Sequence, residues 1–319
     1  MSLQALATAL RAGIGLLHKQ DIAPVVASLG LAENAVRVGD DCAAIPDGDG
    51  WLLLAIEGFL PAVIAREPYF AGWCGVMVNL SDIAAMGGRP LAVVDALFAR
   101  DGEHAVPILH GLRDAGACYG VPIVGGHSNT RAADEQLSVA VLGRARALLT
   151  SFDARPGETL LAAIDLRGRY HEPFAWWDAS SDCPDAARLR QDLDLLPAIA
   201  EAGLSRVAKD ISMGGLVGTA IMLAEGSGIG LAIEVDAVPR PDGADLERWL
   251  TAFPSFGFLL SCTADNAGPI IARFGQRGIA CTAIGHCEAG SRVDLRRHGA
   301  RATVWDLARS PLTGCVGAA

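Results

Sequence analysis

The sequence predicts an α/β protein of two domains, on the basis of three observations. The chain has 319 residues, a length that favours two domains. Hydrophobic residues make up 51% of it and aromatic residues only 6%, which provides a large core of mostly small side chains. Apolar runs of strand length alternate with stretches of helical spacing, the pattern of α/β folds. Because Pro156-Gly157 marks a linker, we predict domains over residues 1–150 and 151–319.

Composition and charge exclude several classes of function. A formal charge of −10 and a pI of about 5.1 argue against nucleic acid binding, since no basic stripe meets a phosphate backbone. The negative charge is still compatible with a phosphorylated small substrate, because bound cations make the local electrostatic field positive at their site. Eight cysteines with no C-x-x-C spacing are typical of reduced thiols in a cytoplasmic protein. The N-terminus has no signal-peptide pattern, and we expect no membrane span.

In the N-terminal half, apolar spacing predicts one amphipathic helix at the start and then strands and helices in alternation. The predicted helices cover residues 3–17, a short segment from Asp21, residues 70–88 and 106–118. The predicted strands cover residues 51–56, with Glu57 at the end, 91–98, 121–124 and 137–143. The strand at 121–124 is expected to be buried and to lead into Gly125-Gly126-His127.

The C-terminal half continues the alternation with less regular spacing. Strands are predicted over residues 159–164, 228–236, 256–262 and 280–284, and helices over 187–203, 212–224, 245–252 and 267–276. Asp210 or Ser212 is expected to cap the helix that ends near Ala224. Residues 167–186 are expected to be irregular, and the basic tail from Gly290 to be peripheral.

The most informative stretch is the predicted buried helix that Gly87-Gly88 closes. Asp82 is its only charged residue, and Asn79 lies three positions earlier on the same face. An ionised carboxylate inside an apolar helix costs several kcal/mol unless it is paired. The partner is an arginine, a helix N-terminus or a metal ion, so a structural ion pair and a ligand site both remain open.

Further acidic and glycine-rich segments surround this helix in sequence. Gly39-Asp40-Asp41 precedes a strand, Gly125-Gly126-His127 follows one, and Lys209-Asp210 begins a turn into a helix. Each aspartate alone is most often a cap or turn residue. Together they suggest a magnesium–phosphate site, because Mg²⁺ is held by a few carboxylates and substrate phosphates. With no P-loop in the chain, a nucleotide would depend on such metals and on glycine backbone amides.

These segments, in this order, resemble the AIR synthase-like superfamily over about residues 36 to 290. Its members include thiamine-monophosphate kinase, phosphoribosylformylglycinamidine cyclo-ligase, selenophosphate synthetase and a carbamoyl dehydratase of hydrogenase maturation. The resemblance implies a two-domain AIR synthase-like fold whose N-terminal mixed sheet pairs with that of a second copy into a barrel. It therefore implies a homodimer, with ATP and Mg²⁺ as cofactors.

The resemblance also implies roles for particular residues. Metal ligands are implied at Asp40, Asp41, Asp82 and Asp210. The nucleotide would contact Asp40, Asp41, Glu57, Asn79, Gly125 and Gly126, the two glycines letting backbone approach the phosphates. Three positions depart from the thiamine-monophosphate kinase pattern, which has aspartate where this chain has Glu57, His127 and Met213.

Other candidate site residues come from their positions in the chain. His127 follows two glycines and is the best general acid or base, the alternative being a histidine that bonds backbone in a turn. Asp210 and Lys209 are further catalytic candidates. Lys209 could contact a phosphate, or it could equally be an exposed charge beside a turn. The substrate candidates are Trp176, Trp177 and His171, which would stack on a flat substrate or else cover the core.

The function expected from these residues is ATP- and Mg²⁺-dependent phosphoryl transfer to, or activation of, a small metabolite. Activation of an amide oxygen, followed by ring closure or dehydration, is the second enzymatic form. A nucleotide-binding regulatory protein without turnover remains open because of the departures at Glu57, His127 and Met213.

Overall fold

The computed structural model describes residues 1–31, 35–182 and 185–315. The chain forms two compact units, and each is built from more than one stretch of sequence. Unit 1 comprises Met1–Asp40, Leu149–Ala179 and Ala202–Ala319, and unit 2 comprises Asp41–Leu148 and Ser180–Glu201. The predicted change of domain near residue 150 falls at the step from Leu148 to Leu149. Residues 1–40 and 180–201, however, each join the unit formed mainly by the other half of the chain.

Helices and strands alternate through most of the described chain. The helices are α1 (Leu3–Arg11), α2 (Ile14–Lys19), α3 (Ile22–Leu29), α4 (Pro61–Arg66), α5 (Pro68–Ala85), α6 (Gly102–Tyr119), α7 (Ala186–Leu193), α8 (Leu195–Glu201), α9 (Gly215–Ser227), α10 (Leu246–Leu250) and α11 (Ala264–Gln276). The strands are β1 (Ala43–Asp47), β2 (Gly50–Gly58), β3 (Gly88–Phe98), β4 (Ile123–Asn129), β5 (Gln136–Ala145), β6 (Thr159–Ile164), β7 (Arg169–Tyr170), β8 (Trp176–Asp178), β9 (Val207–Asp210), β10 (Gly230–Glu234), β11 (Phe253–Pro254), β12 (Gly257–Cys262), β13 (Ala280–Glu288), β14 (Arg292–Arg297) and β15 (Ala300–Asp306).

Unit 2 is a five-stranded mixed sheet with helix α5 packed on one face. The strand order is β1-β2-β5-β3-β4, and only the β3–β4 pair is parallel. Every residue of α5 from Phe70 to Ala85 is buried, which confirms the predicted buried helix. A side chain at Gly75 would come within 2.8 Å of Val139 Cγ2 on β5, so this glycine lets the helix lie directly on the sheet.

Helices α7 and α8 belong to unit 2, although the sequence predicted a single helix in the C-terminal domain. Trp73 Nε1 donates to Ser180 Oγ at 3.1 Å, just ahead of this segment. Arg89 on β3 pairs with Asp194 at 2.6 Å and with Glu201 at 2.5 Å. Helical spacing reveals the segment but not its long-range partners, so the sequence placed it in the wrong unit.

Unit 1 is built around a seven-stranded sheet in the order β15-β14-β10-β13-β6-β12-β9. Helix α9 is buried along its length from Gly215 to Gly226. The prediction of a peripheral basic tail after Gly290 was wrong, because β14 and β15 belong to this sheet. Val293, Leu295 and Val304 are fully buried there, and Asp294 between the first two is also buried and pairs with Arg301 on β15.

Four local predictions in the sequence also differ from the structure. The single helix expected over residues 3–17 is broken at Gly13, the N-cap of α2. The segment 167–186, expected to be irregular, contains β7 and β8, which form a small sheet with β11. Asp210 ends strand β9 and does not cap α9, whose N-cap is Gly214. Strand β4 is an exposed edge strand and contains Gly125, Gly126 and His127, so it is not a buried strand that ends before them.

The cysteines of the described chain fit the expectation of small apolar side chains. Seven of them are free thiols, and Cys183 lies outside the described residues. Burial raises the pKa of Cys281 and Cys287 to about 12, so both remain protonated near neutral pH. Among the described residues, no helix combines the length and apolar character needed to cross a bilayer.

Candidate metal and nucleotide site

Two aspartates of unit 2 bring their carboxylates together. Asp82 lies on α5 and is 6% exposed, and Asp41 lies just ahead of β1 and is half-buried. Carboxylate oxygens of the two side chains lie within 4.8 Å of each other. Two like charges this close, one of them buried, are stabilised by a cation or a proton. An all-oxygen pair of carboxylates suits Mg²⁺, which takes oxygen ligands, so the residues present fit the predicted metal.

Asn79 is on α5, three positions before Asp82, and is completely buried. Its Nδ2 donates to the carbonyl of Gly75 at 2.8 Å. Its Oδ1 is buried and has no hydrogen-bond partner among the described residues. An unpaired buried acceptor is costly, so a donor supplied from outside the chain would stabilise this helix.

The glycine pair and His127 lie within strand β4. The His127 side chain is exposed and its ring lies 5.7 Å from the ring of Phe98 on β3. A side chain at Gly126 would come within 2.7 Å of Asp95 Oδ2, whereas Gly125 has open space beside it. Glu57, near the end of β2, is exposed.

Asp40 and Lys209 meet inside unit 1. Lys209 Nζ lies 3.7 Å from Asp40 Oδ1, and the two side chains are 4% and 1% exposed. Asp40 Oδ2 accepts a hydrogen bond from the backbone N–H of Ser151 at 2.7 Å. Lys209 is therefore a buried partner of Asp40, and the alternative of an exposed charge beside a turn does not hold.

The C-terminal segment holds the backbone just ahead of Asp40. Buried Glu225 on α9 accepts hydrogen bonds from the backbone N–H groups of Leu312 and Thr313, both at 2.8 Å. Next to this segment, Cys315 packs so closely on Gly39 that an added Cβ would lie 2.4 Å from the Cys315 Cβ. Gly39 has a φ of +114°, so glycine is required there for both conformation and space.

Asp210 is also buried in unit 1, at the end of β9. Its backbone carbonyl accepts a hydrogen bond from Thr219 Oγ1 on α9 at 3.1 Å. This bond fixes the turn between the strand and the helix, and so fixes the segment that carries the carboxylate.

The three substrate candidates of unit 1 separate into two groups. Trp177 is 7% exposed in the core and its Nε1 donates to the Asp165 carbonyl at 2.9 Å. Of the two roles expected for Trp177, stacking on a substrate or covering the core, its position fits the second. Trp176 is half-buried and stacks on Phe174 with ring centroids 4.1 Å apart, and the His171 ring is nearly parallel to that of Phe174 at 6.4 Å.

Asp95 is a residue that the sequence analysis did not select. It lies on β3, half-buried, and its Oδ1 is buried with no hydrogen-bond partner among the described residues. Burial raises the pKa of this carboxyl. The signal was present in the sequence, since Asp95 is the only charge in the apolar run from Leu91 to Phe98, as Asp82 is in its helix.

Fold and site together define an α/β protein of two units in which a buried helix on a mixed sheet presents a carboxylate pair suited to a divalent cation. Sequence models of the AIR synthase related protein match residues 39–145 for the N-terminal domain and 154–298 for the C-terminal domain. The chain belongs to the AIR synthase related family, as the resemblance implied.

Curated relatives cover most of the chain. An uncharacterised protein of Synechocystis is 45% identical over 95% of this chain and 96% of its own length. The thiamine-monophosphate kinase of Pyrococcus horikoshii is 27% identical over 82% of this chain and 86% of its own.

Solved structures share the fold. Thermotoga maritima PurL complexed with ATP matches 89% of this chain with a TM-score of 0.71 at 20% identity. AaThiL complexed with AMPPCP and TMP matches 88% of this chain and 94% of its own, with a TM-score of 0.65 at 21% identity. The chain spans about half of the PurL chain, 48% of its length. The two-domain AIR synthase-like fold predicted from the sequence is thereby confirmed.

Proposed function

We propose that this protein is an ATP- and Mg²⁺-dependent enzyme that transfers a phosphoryl group to a small metabolite or activates it. The observation that carries the proposal is the approach of Asp41 and Asp82 to within 4.8 Å in unit 2. The similarity to a thiamine-monophosphate kinase and to structures holding ATP or AMPPCP supports a nucleotide as the ligand.

The proposal assigns metal ligation to Asp41 and Asp82. Mg²⁺ bound there would neutralise the charge of nucleotide phosphates. The backbone of Gly125 and Gly126 would accept the phosphates, since Gly125 has open space where a side chain would stand. Glu57 and Asn79 complete the nucleotide-binding set of unit 2, with Asn79 offering its unpaired Oδ1 to a donor.

In unit 1 the proposal retains Asp40 and Asp210 as metal-binding residues on the basis of their sequence motifs. The Lys209–Asp40 pair gives Lys209 a role in positioning that carboxylate, besides the phosphate contact expected of it. His127, exposed on β4, remains the acid or base candidate. Trp176 and His171 remain the substrate candidates, whereas the core position of Trp177 favours a structural role.

We also propose that the protein is a homodimer formed through the sheet of unit 2. On the face away from α5, Leu54 pairs in register with Leu142, and Ile56 with Ala140. Leu54, Ile56 and Val94 are 48%, 68% and 41% exposed on this face. Contiguous exposed apolar surface of this kind marks an association site, and a second copy of the same sheet is the occupant that the family resemblance implies.

Titration calorimetry with ATP, with and without Mg²⁺, together with an assay of ADP formation, tests the function. We expect ATP to bind in a Mg²⁺-dependent manner and to be turned over. Binding without any ADP formation would instead support the regulatory alternative. No binding at millimolar ATP would contradict the proposal.

A further inference from the structure

We propose that Asp95 accepts the proton of the attacking group in this reaction, an inference that rests on the proposed function and adds a catalytic residue to it. Asp95 lies in unit 2, in one row across the sheet with Glu57, with its carboxyl close against Gly126 and one carboxyl oxygen unpaired among the described residues.

Asp95 and Glu57 lie in one row across the sheet. Val139 on β5 is directly opposite Glu57 on β2 and directly opposite Asp95 on β3. Residues directly opposite each other in antiparallel strands point to the same face, so both carboxylates share the face of Val139. Adjacent strands are about 4.8 Å apart, which separates the two α-carbons by about 10 Å. The two acids therefore flank Val139 on one face of the sheet.

This face is the one that α5 covers. Val139 is fully buried under Gly75, where an added Cβ would come within 2.8 Å of Val139 Cγ2. Asn79 lies one helical turn beyond Gly75 and is bonded to its carbonyl. The unpaired Oδ1 of completely buried Asn79 is therefore on the helix that lies over the Asp95 row. Two unpaired acceptors on facing elements favour a ligand that brings hydrogen-bond donors.

Gly126 lets the Asp95 carboxyl lie directly against the backbone of β4. Gly126 is paired in register with Asp95 on the parallel strand β4. An added Cβ would lie 2.6 Å from the Asp95 carbonyl oxygen and 2.7 Å from Asp95 Oδ2. Any side chain at residue 126 would have to displace this carboxyl, so the neighbouring acid requires a glycine here. The close approach of a phosphate to the backbone would require a glycine as well.

The surroundings of Asp95 increase its basicity. Its Oδ1 is shielded from solvent and has no hydrogen-bond partner among the described residues, and burial raises its pKa. The other ionisable residues of the packed elements are Glu57 on β2, Arg89 on β3, Arg144 on β5, Tyr69, Cys74 and Asp82 on α5, and His127 on β4. His127 is one position beyond Gly126 and hence on the opposite face. A base with a raised pKa holds an abstracted proton better than an exposed aspartate does.

The step is a nucleophilic displacement at the γ-phosphorus of ATP. The oxygen or nitrogen of an acceptor X–H forms a bond to phosphorus, and the bond from phosphorus to the β,γ-bridging oxygen breaks. The electron pair of the broken bond leaves with ADP, and the proton of X–H goes to the Asp95 carboxylate. When water is the acceptor, the products are ADP and inorganic phosphate.

Asp95→Asn tests the inference, because it keeps the shape and removes the basic group. With Mg²⁺-ATP as the probe and water as the acceptor, we expect ADP formation to fall at least about a hundredfold, the range of a general base, while the Kd for ATP changes less than about twofold. The wild-type rate should rise with pH through the Asp95 pKa, and the variant should lack that rise. Asp49→Asn, at a fully exposed carboxylate of the same unit, is the matched control and should leave rate and profile unchanged.

If Asp95 only supported the fold, Asp95→Asn would unfold earlier than wild type at pH 7. Because the folded carboxyl has a raised pKa, wild-type stability should fall as pH rises through the interval between the ordinary and the raised value. Asp95→Asn should not show this fall and should unfold no earlier than wild type at pH 7. If the variant does not fold, carbon-13 NMR of the wild-type carboxyl decides, and an Asp95 that titrates at or below the ordinary range overturns the inference.

Failure of this inference can be distinguished from failure of the proposed function. A variant that forms ADP at the wild-type rate with the wild-type pH profile overturns the role of Asp95 and leaves the function standing. Wild-type protein that binds Mg²⁺-ATP but forms no ADP at any pH overturns the role and leaves nucleotide binding standing. Wild-type protein that does not bind ATP overturns both.

Discussion

Lys209 Nζ lies 3.7 Å from Asp40 Oδ1 in the interior of unit 1, with both side chains almost completely shielded from solvent. The other Asp40 oxygen accepts the Ser151 backbone N–H. A buried ion pair contributes little to stability as a whole, but removing one partner leaves an uncompensated buried charge. The pair therefore makes the acidic segment ahead of β1 depend on a lysine that lies 169 positions later in the chain.

Lys209→Met should destabilise the protein by about 3 kcal/mol, the cost of breaking a buried pair from one side. Thermal or urea unfolding measures this loss. The double variant Asp40→Asn/Lys209→Met, which removes both charges, should recover a large part of it. If Lys209→Met keeps full stability but abolishes turnover, Lys209 acts on the phosphate and the pair is incidental.

The sequence predicted features that depend on local patterns. The apolar run that contains Asp82 predicted α5 with its buried carboxylate, and the apolar run that begins at Trp51 after a turn predicted β2. Both signals lie within one element, since helical and strand periodicities are local. The resemblance gave the two-domain fold because its motifs occur in the right order.

Features that depend on partners far along the chain were not predictable in this way. Helices α7 and α8 join unit 2 through the contacts of Arg89 with Asp194 and Glu201, which helical spacing does not encode. Asp95 was missed because its significance depends on strand register, which sets Val139 and Gly126 beside it. The sequence shows a lone charge in an apolar strand, but it does not show which residues of the neighbouring strands lie beside that charge.

Asp82→Asn should weaken the binding of ATP in the presence of Mg²⁺ at least tenfold, about 1.4 kcal/mol, while the fold survives. The reason is that the substitution leaves Asp41 as the only carboxylate of the close pair. Titration calorimetry at fixed Mg²⁺ measures the affinity, with Asp49→Asn as the exposed control. Unchanged affinity together with a large loss of thermal stability would assign Asp82 to a structural ion pair.

Ile56→Lys should convert the proposed homodimer to monomers. Ile56 is 68% exposed on the apolar face of the unit 2 sheet, and a lysine there would bury a charge in the interface. Light scattering at micromolar concentration distinguishes the two states. Leu29→Lys, at a residue 67% exposed in unit 1, is the matched control and should remain dimeric. A wild-type protein that is monomeric under these conditions would contradict the interface.

The two adjacent tryptophans of β8 should respond differently to truncation. Trp177 is in the core, with its ring edge-on to Trp249 at 5.2 Å and its N–H bonded to the Asp165 carbonyl. Trp177→Ala should therefore cost about 3–5 kcal/mol of stability, the usual cost of deleting a large buried aromatic ring.

Trp176→Ala should leave most of the stability in place, because that ring is half-buried and its closest aromatic contact is Phe174. If the stack of His171, Phe174 and Trp176 contacts the acceptor substrate, the variant should reduce turnover or raise KM while the Kd for ATP stays unchanged, since the proposed nucleotide residues of unit 2 are intact. Parallel unfolding and calorimetry on both variants separate these effects. Equal losses of stability in the two variants, or full activity in Trp176→Ala, would show that the stack has only a packing role in unit 1. The acceptor site should then be sought beside Asp95.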